Sequence, residues 1–143
     1  MAKVARAARV ASRQRVEAVS ADKTIASAET GELYLVDASA GSVVITLPAV
    51  QDGAYFKFIL SADNGGGTTM TIQAAPNTVD IDGMLIRIDT TDHGSGGVDK
   101  GAGGDDKVVF GNSCSKGSYV EIYCDGTKWF AHGIAHDGTL QFA

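Results

Sequence analysis

The chain has 143 residues, 44% hydrophobic and 20% charged, which is enough length and apolar content for one self-supporting domain and argues against wholesale disorder. No apolar stretch approaches the ~18 residues of a membrane helix, and the 18 glycines follow no Gly-X-Y period, so a membrane-spanning helix and a collagen are excluded. The net charge of −5 hides a division: residues 1–16 carry Lys3, Arg6, Arg9, Arg13 and Arg15 and no acid, and the rest carries 7 basic against 17 acidic side chains.

Residues 1–23 read as a basic N-terminal arm, extended or partly helical. Lys3, Arg6, Arg9 and Arg13 would share a helical face, opposite a thin apolar face of Val4, Ala7, Ala8 and Ala11. The Ala/Arg composition also fits a mitochondrial transit peptide, whereas the apolar core of a secretory signal is missing. With Met1 at its head, the arm is expected to stay on the protein and dock on an acidic partner surface. The acidic body argues against nucleic acid as the domain's own partner, because phosphate contact needs a basic face.

Residues 24–143 read as strands and turns. Thr24–Ala28 is the first expected strand. Glu32–Asp37 is apolar on both faces and so interior, and Ser42–Leu47 follows, ended by Pro48. Ala54–Leu60 alternates, with Phe56, Phe58 and Leu60 expected in the core. Asn64-Gly65-Gly66-Gly67 reads as a hairpin tip before Thr68–Ala74, with Met70 and Ile72 inward. Asn77–Ile81 and Met84–Asp89 read as a second hairpin about Asp82-Gly83. Residues 90–106 read as one long Gly/Asp loop. Lys107–Phe110, Ser118–Cys124, Lys128–Ile134 and Thr139–Phe142 complete nine or ten strands, with Asp125-Gly126-Thr127 as a turn. The spacing predicts an all-β fold, a β-sandwich or jelly-roll-like domain.

Cys114 and Cys124 are not expected to face each other, because a pair would centre the turn on Tyr119 whereas the turn residues are Ser115–Ser118. Both are expected reduced and buried, in a chain assembled in a cytoplasm. His132 and His136 have an H-x-x-x-H spacing, but in an extended strand they stand ~13 Å apart, so a shared metal would need a bend at Gly133. Two exposed or edge histidines are the preferred reading. Asp92, Asp99, Asp105 and Asp106 offer the oxygens calcium prefers, yet their spacing misses the EF-hand pattern and matches the RTX nonapeptide only in part, and a flexible acidic loop is preferred. Glu121 stands alone among the acids of its strand, and Asp125 belongs to a turn. No nucleophile elbow or phosphate loop is present, so neither catalysis nor a cofactor is expected. Trp129 is expected to pack, in the core or against Tyr123 across the strands, rather than to stack on sugars.

The run Val44-Ile45-Thr46-Leu47-Pro48-Ala49, then Tyr55-Phe56-Lys57-Phe58, Met70-Thr71-Ile72, Ile81-Asp82-Gly83 and Val120 through Trp129 resembles the small β-structured virion proteins of tailed bacteriophages. These are head decoration (cement) proteins and the β modules of head or tail fibres. The resemblance spans about residues 24–134. It implies a structural homotrimer on the capsid exterior, with the major capsid protein as partner and no role for nucleic acid or membrane. Lys3, Arg6, Arg9, Arg13 and Arg15 would then form the capsid-binding arm. The alternative is a fibre adhesin that binds host glycans through an exposed aromatic cluster near Tyr123 and Trp129.

Overall fold

A computed structural model of the chain describes residues 14–89 and 96–143. Among the described residues, twelve strands form two mixed sheets, stacked as a sandwich around one apolar core. The seven-stranded sheet has the order β1-β3-β5-β10-β11-β7-β8, and the five-stranded sheet has the order β12-β9-β6-β4-β2. In the first sheet β1 is Val16–Val19, β3 Leu33–Val36, β5 Tyr55–Leu60, β7 Ile81–Ile88, β8 Gly97–Lys100, β10 Tyr119–Cys124 and β11 Trp129–His136. In the second, β2 is Lys23–Thr24, β4 Val43–Thr46, β6 Met70–Gln73, β9 Lys107–Phe110 and β12 Leu140–Phe142.

Period-two alternation explains the core. Along β5, Phe56, Phe58 and Leu60 are buried, and along β6 so are Met70 and Ile72, as the sequence predicts. Tyr34 stacks on Phe58 with centroids 5.2 Å apart, and Trp129 meets Phe56 at 6.0 Å. Glu32–Asp37 does supply an interior strand, since β3 lies between β1 and β5.

The connectivity differs from the expected hairpins. The first six strands alternate between sheets, so that β1, β3 and β5 stack parallel in one and β2, β4 and β6 parallel in the other. The chain thus winds as three flattened coils. Only its second half adds antiparallel pairs, and five of ten pairings are parallel. The sandwich is therefore of mixed type, unlike the all-antiparallel jelly roll.

Several local expectations need correction. Asn64–Gly67 is not a hairpin tip but an arch that carries the chain from β5 to β6 in the opposite sheet. Buried Asn64 fixes it by donating its side-chain amide to the carbonyls of Phe110 (3.2 Å) and Gly111 (2.9 Å). Asp82-Gly83 is not a turn either: β7 runs straight through it and pairs parallel with β11. Gly83 takes φ +139°, and a Cβ there would lie 1.9 Å from the Ala131 carbonyl oxygen, so the residue serves close strand approach. The supposed loop at 90–106 contains β8, antiparallel to β7. Thr24–Ala28 is replaced by the two-residue β2 and a 3₁₀ turn at Ser27–Glu29. Residues 16–19 and Lys23, read as part of the arm, belong to strands of the two sheets.

Candidate functional site

The two outward faces of the sandwich differ in chemistry. On the five-stranded sheet, the registered rows are Val44, Thr71, Val109, Gln141 and Thr24, Thr46, Gln73, Lys107. Gln73 donates to the Thr46 hydroxyl at 3.0 Å.

On the seven-stranded sheet, one row crosses every strand: Ala18, Leu35, Ile59, Tyr119, Ile134, Ile86 and Val98 are successive register partners. Six of the seven are aliphatic. Val98 is 64% exposed, and Met84 and Ile88 beside the row are exposed too. The next row is polar at its centre. Lys57 donates to Glu121 at 2.9 Å, and the Tyr123 hydroxyl donates to the other Glu121 oxygen at 3.1 Å. The Lys57 hydrogen bond is the main reason the Glu121 carboxyl titrates below the ordinary range. Glu121 is therefore held as a charge partner, not poised as an acid.

At the β7–β8–β11 end of this face lies an open groove of about 930 Å³. Met84, Val98 and Phe130 supply its apolar lining, and Asp82, Lys100 and His132 are polar lining groups. The Lys128 ammonium pairs with Asp82 and lies 5.2 Å from the Phe130 ring centroid. A surface of this kind can bind by shape and apolar contact.

The other candidates fall in separate places. His132 and His136 both lie on β11, which runs without interruption through Gly133; the bend that a shared metal needs is not there. The expected strand end at Ile134 is in fact His136. Asp92 lies outside the described residues. Asp99 accepts from the Phe142 amide (2.8 Å), Asp105 from the Ala102 amide (3.0 Å), and Asp106 lies 3.8 Å from Lys107. These three carboxylates thus serve different partners. Asp125 closes its turn, accepting from Thr127 and Lys128, which holds its carboxyl at about 2. Cys114 and Cys124 are free and buried, and burial pushes the Cys114 thiol up to about 11. Trp129 is buried, but not against Tyr123. Its register partner is Cys124, and Tyr123, 41% exposed, pairs instead with Tyr55 at 5.0 Å on the outer face.

Of the arm cations, Lys3, Arg6, Arg9 and Arg13 lie outside the described residues. Arg15 is exposed, with its guanidinium 3.1 Å from buried Glu32. It belongs to an ion network at the root of β1, where Lys23 bridges Glu17 (3.1 Å) and Glu29 (3.0 Å). Among the described residues, Glu17, Glu29 and Glu32 form the one group of three metal-capable side chains, within 4.8 Å of one another. The Lys23 ammonium and the Arg15 guanidinium offset two of its three charges. Burial pushes the Glu29 carboxyl up, but the Ala26 amide and Lys23 outweigh this and hold it low.

Fold and surface together define an all-β sandwich with one apolar and one polar outer sheet face. No family model, curated protein or solved structure matches the chain.

Proposed function

We propose that this chain is a structural, non-catalytic virion protein: a decoration (cement) protein on the exterior of a tailed-phage capsid. Its basic arm lies along an acidic surface of the major capsid protein, and its body braces the lattice. The observation that carries this reading is the root of the arm. The cation-rich segment runs into β1, which is fixed to the sandwich by pairing with β3 and by the Arg15–Glu32 and Lys23–Glu17 ion pairs. An arm fixed in this way transmits attachment to the body. A ligand that binds only the assembled lattice stabilises it by mass action.

Co-sedimentation with expanded, undecorated heads tests the proposal. The informative deletion removes residues 1–13 and spares β1. A milder variant replaces Lys3, Arg6, Arg9 and Arg13 with Ser and leaves Arg15 to Glu32. The full chain should bind saturably, and both variants should bind at least ~10-fold more weakly, with the wild-type affinity falling as salt screens exposed charge. No binding by the full chain would overturn the proposal.

A second reading, glycan binding by a fibre adhesin, is favoured by the Tyr55–Tyr123 pair on the same face as Phe130 and the groove. It requires retention on a glycan array that is lost in Tyr123→Ala.

A further inference from the structure

We infer that the apolar outer face of the seven-stranded sheet is where two copies of this chain pack, face to face, about a two-fold axis. The contact is independent of capsid attachment, and it replaces the threefold association implied by the resemblance.

The row Ala18, Leu35, Ile59, Tyr119, Ile134, Ile86, Val98 runs across all seven strands. Tyr119 stands fourth of seven, with three aliphatic side chains on each side. A two-fold axis in the plane of the face, through Tyr119, either reverses the row or maps it onto itself. Both operations set apolar side chains on apolar side chains along its whole length. An isologous contact requires this self-complementarity. A partner of different sequence does not.

Area points the same way. Seven strands at ~4.8 Å spacing make the face ~29 Å wide, and four outward residues along β11 make it ~20 Å long, or ~600 Å². Two such faces bury ~1,200 Å², the lower bound of a standard specific interface. Of the charges on the face, Lys57 is paired with Glu121 and Lys128 with Asp82 within each copy, and Lys100 stands on the edge strand β8. Two right-twisted sheets stacked in this way repeat the packing that holds the sandwich itself together.

Sedimentation equilibrium of the full-length protein tests the inference. The wild type should run at the mass of two 14.8 kDa copies at ~10 µM. Val98→Lys and the double variant Ile86→Lys/Val98→Lys change exposed side chains, so both should stay folded. They should dissociate at least ~30-fold more readily, as expected when a charge is buried in an apolar contact. Thr71→Lys, on the outer face of the other sheet, should leave the mass unchanged. A wild type of one copy or of three copies would overturn the inference, and so would a dimer that persists in the folded double variant. Far-ultraviolet circular dichroism establishes that each variant is folded.

Discussion

The two outer faces come from one alternation rule applied to different residues. Most strands put alternate side chains into a shared core, so the inward sets are alike: Phe, Ile, Val, Met and Trp. The outward sets are not. Thr and Gln dominate outside the five-stranded sheet, whereas aliphatic side chains, interrupted only by Tyr119, form a row outside the seven-stranded one. Burying one face of a sheet suffices for folding. A second apolar face adds no core and has to be explained by contact with something outside the domain.

The comparison can be broken most severely at Gly83. Gly83→Ala puts a Cβ against the Ala131 carbonyl, so the β7–β11 pairing under the apolar row must part. Thermal unfolding should show a loss above ~3 kcal/mol, while Thr71→Ala on the polar face should lose under ~0.5 kcal/mol. Next comes Asn64→Ala, which strips the arch of its two carbonyl contacts and should cost ~1–3 kcal/mol in denaturant titration. A third test makes the faces alike. Thr71→Ile with Gln73→Ile should change unfolding by no more than ~0.5 kcal/mol, but light scattering should reveal new, larger assemblies. If the assembly state stayed as in the wild type, an apolar outer row would not be sufficient for association.

The smallest expected effect is a pH dependence. Asp125 has its carboxyl lowered from 3.8 to about 2 by hydrogen bonds from Thr127 and Lys128. Its contribution is therefore complete above about pH 4 and disappears as the pH falls towards 2. Glu121, lowered by Lys57, acts with the same sign below its ordinary 4.5. The midpoint of unfolding should drop over this window, and Asp125→Asn should flatten the drop.

The sequence made some of this legible. β5 and β6 alternate cleanly, and the β10–β11 hairpin carries an Asp-Gly turn between two long apolar runs. The sandwich class followed from strand number and spacing. Connectivity did not, because a short Gly-rich link serves a hairpin and an arch between sheets equally well. Asp82-Gly83 carries the residues of a turn while using glycine for close approach inside a strand. β8 was hidden because Gly97–Lys100 has one apolar residue, and it points outward. β1 was hidden in a basic, Ala-rich composition. The apolar row could not be read at all: its seven members lie between positions 18 and 134, out of chain order, and only the register brings them together.

The two thiols have a consequence of their own. Cys114 lies ahead of β10, within reach of the Thr139 carbonyl (3.3 Å), and Cys124 ends β10, accepting from the Gln51 and Gly126 amides. They therefore sit at opposite ends of one strand, each under a different set of loops. A thiol reagent can reach either only when its own end opens. The protein thus carries two native clocks, and their separate labelling rates would time the breathing of each end of the sandwich without any introduced probe.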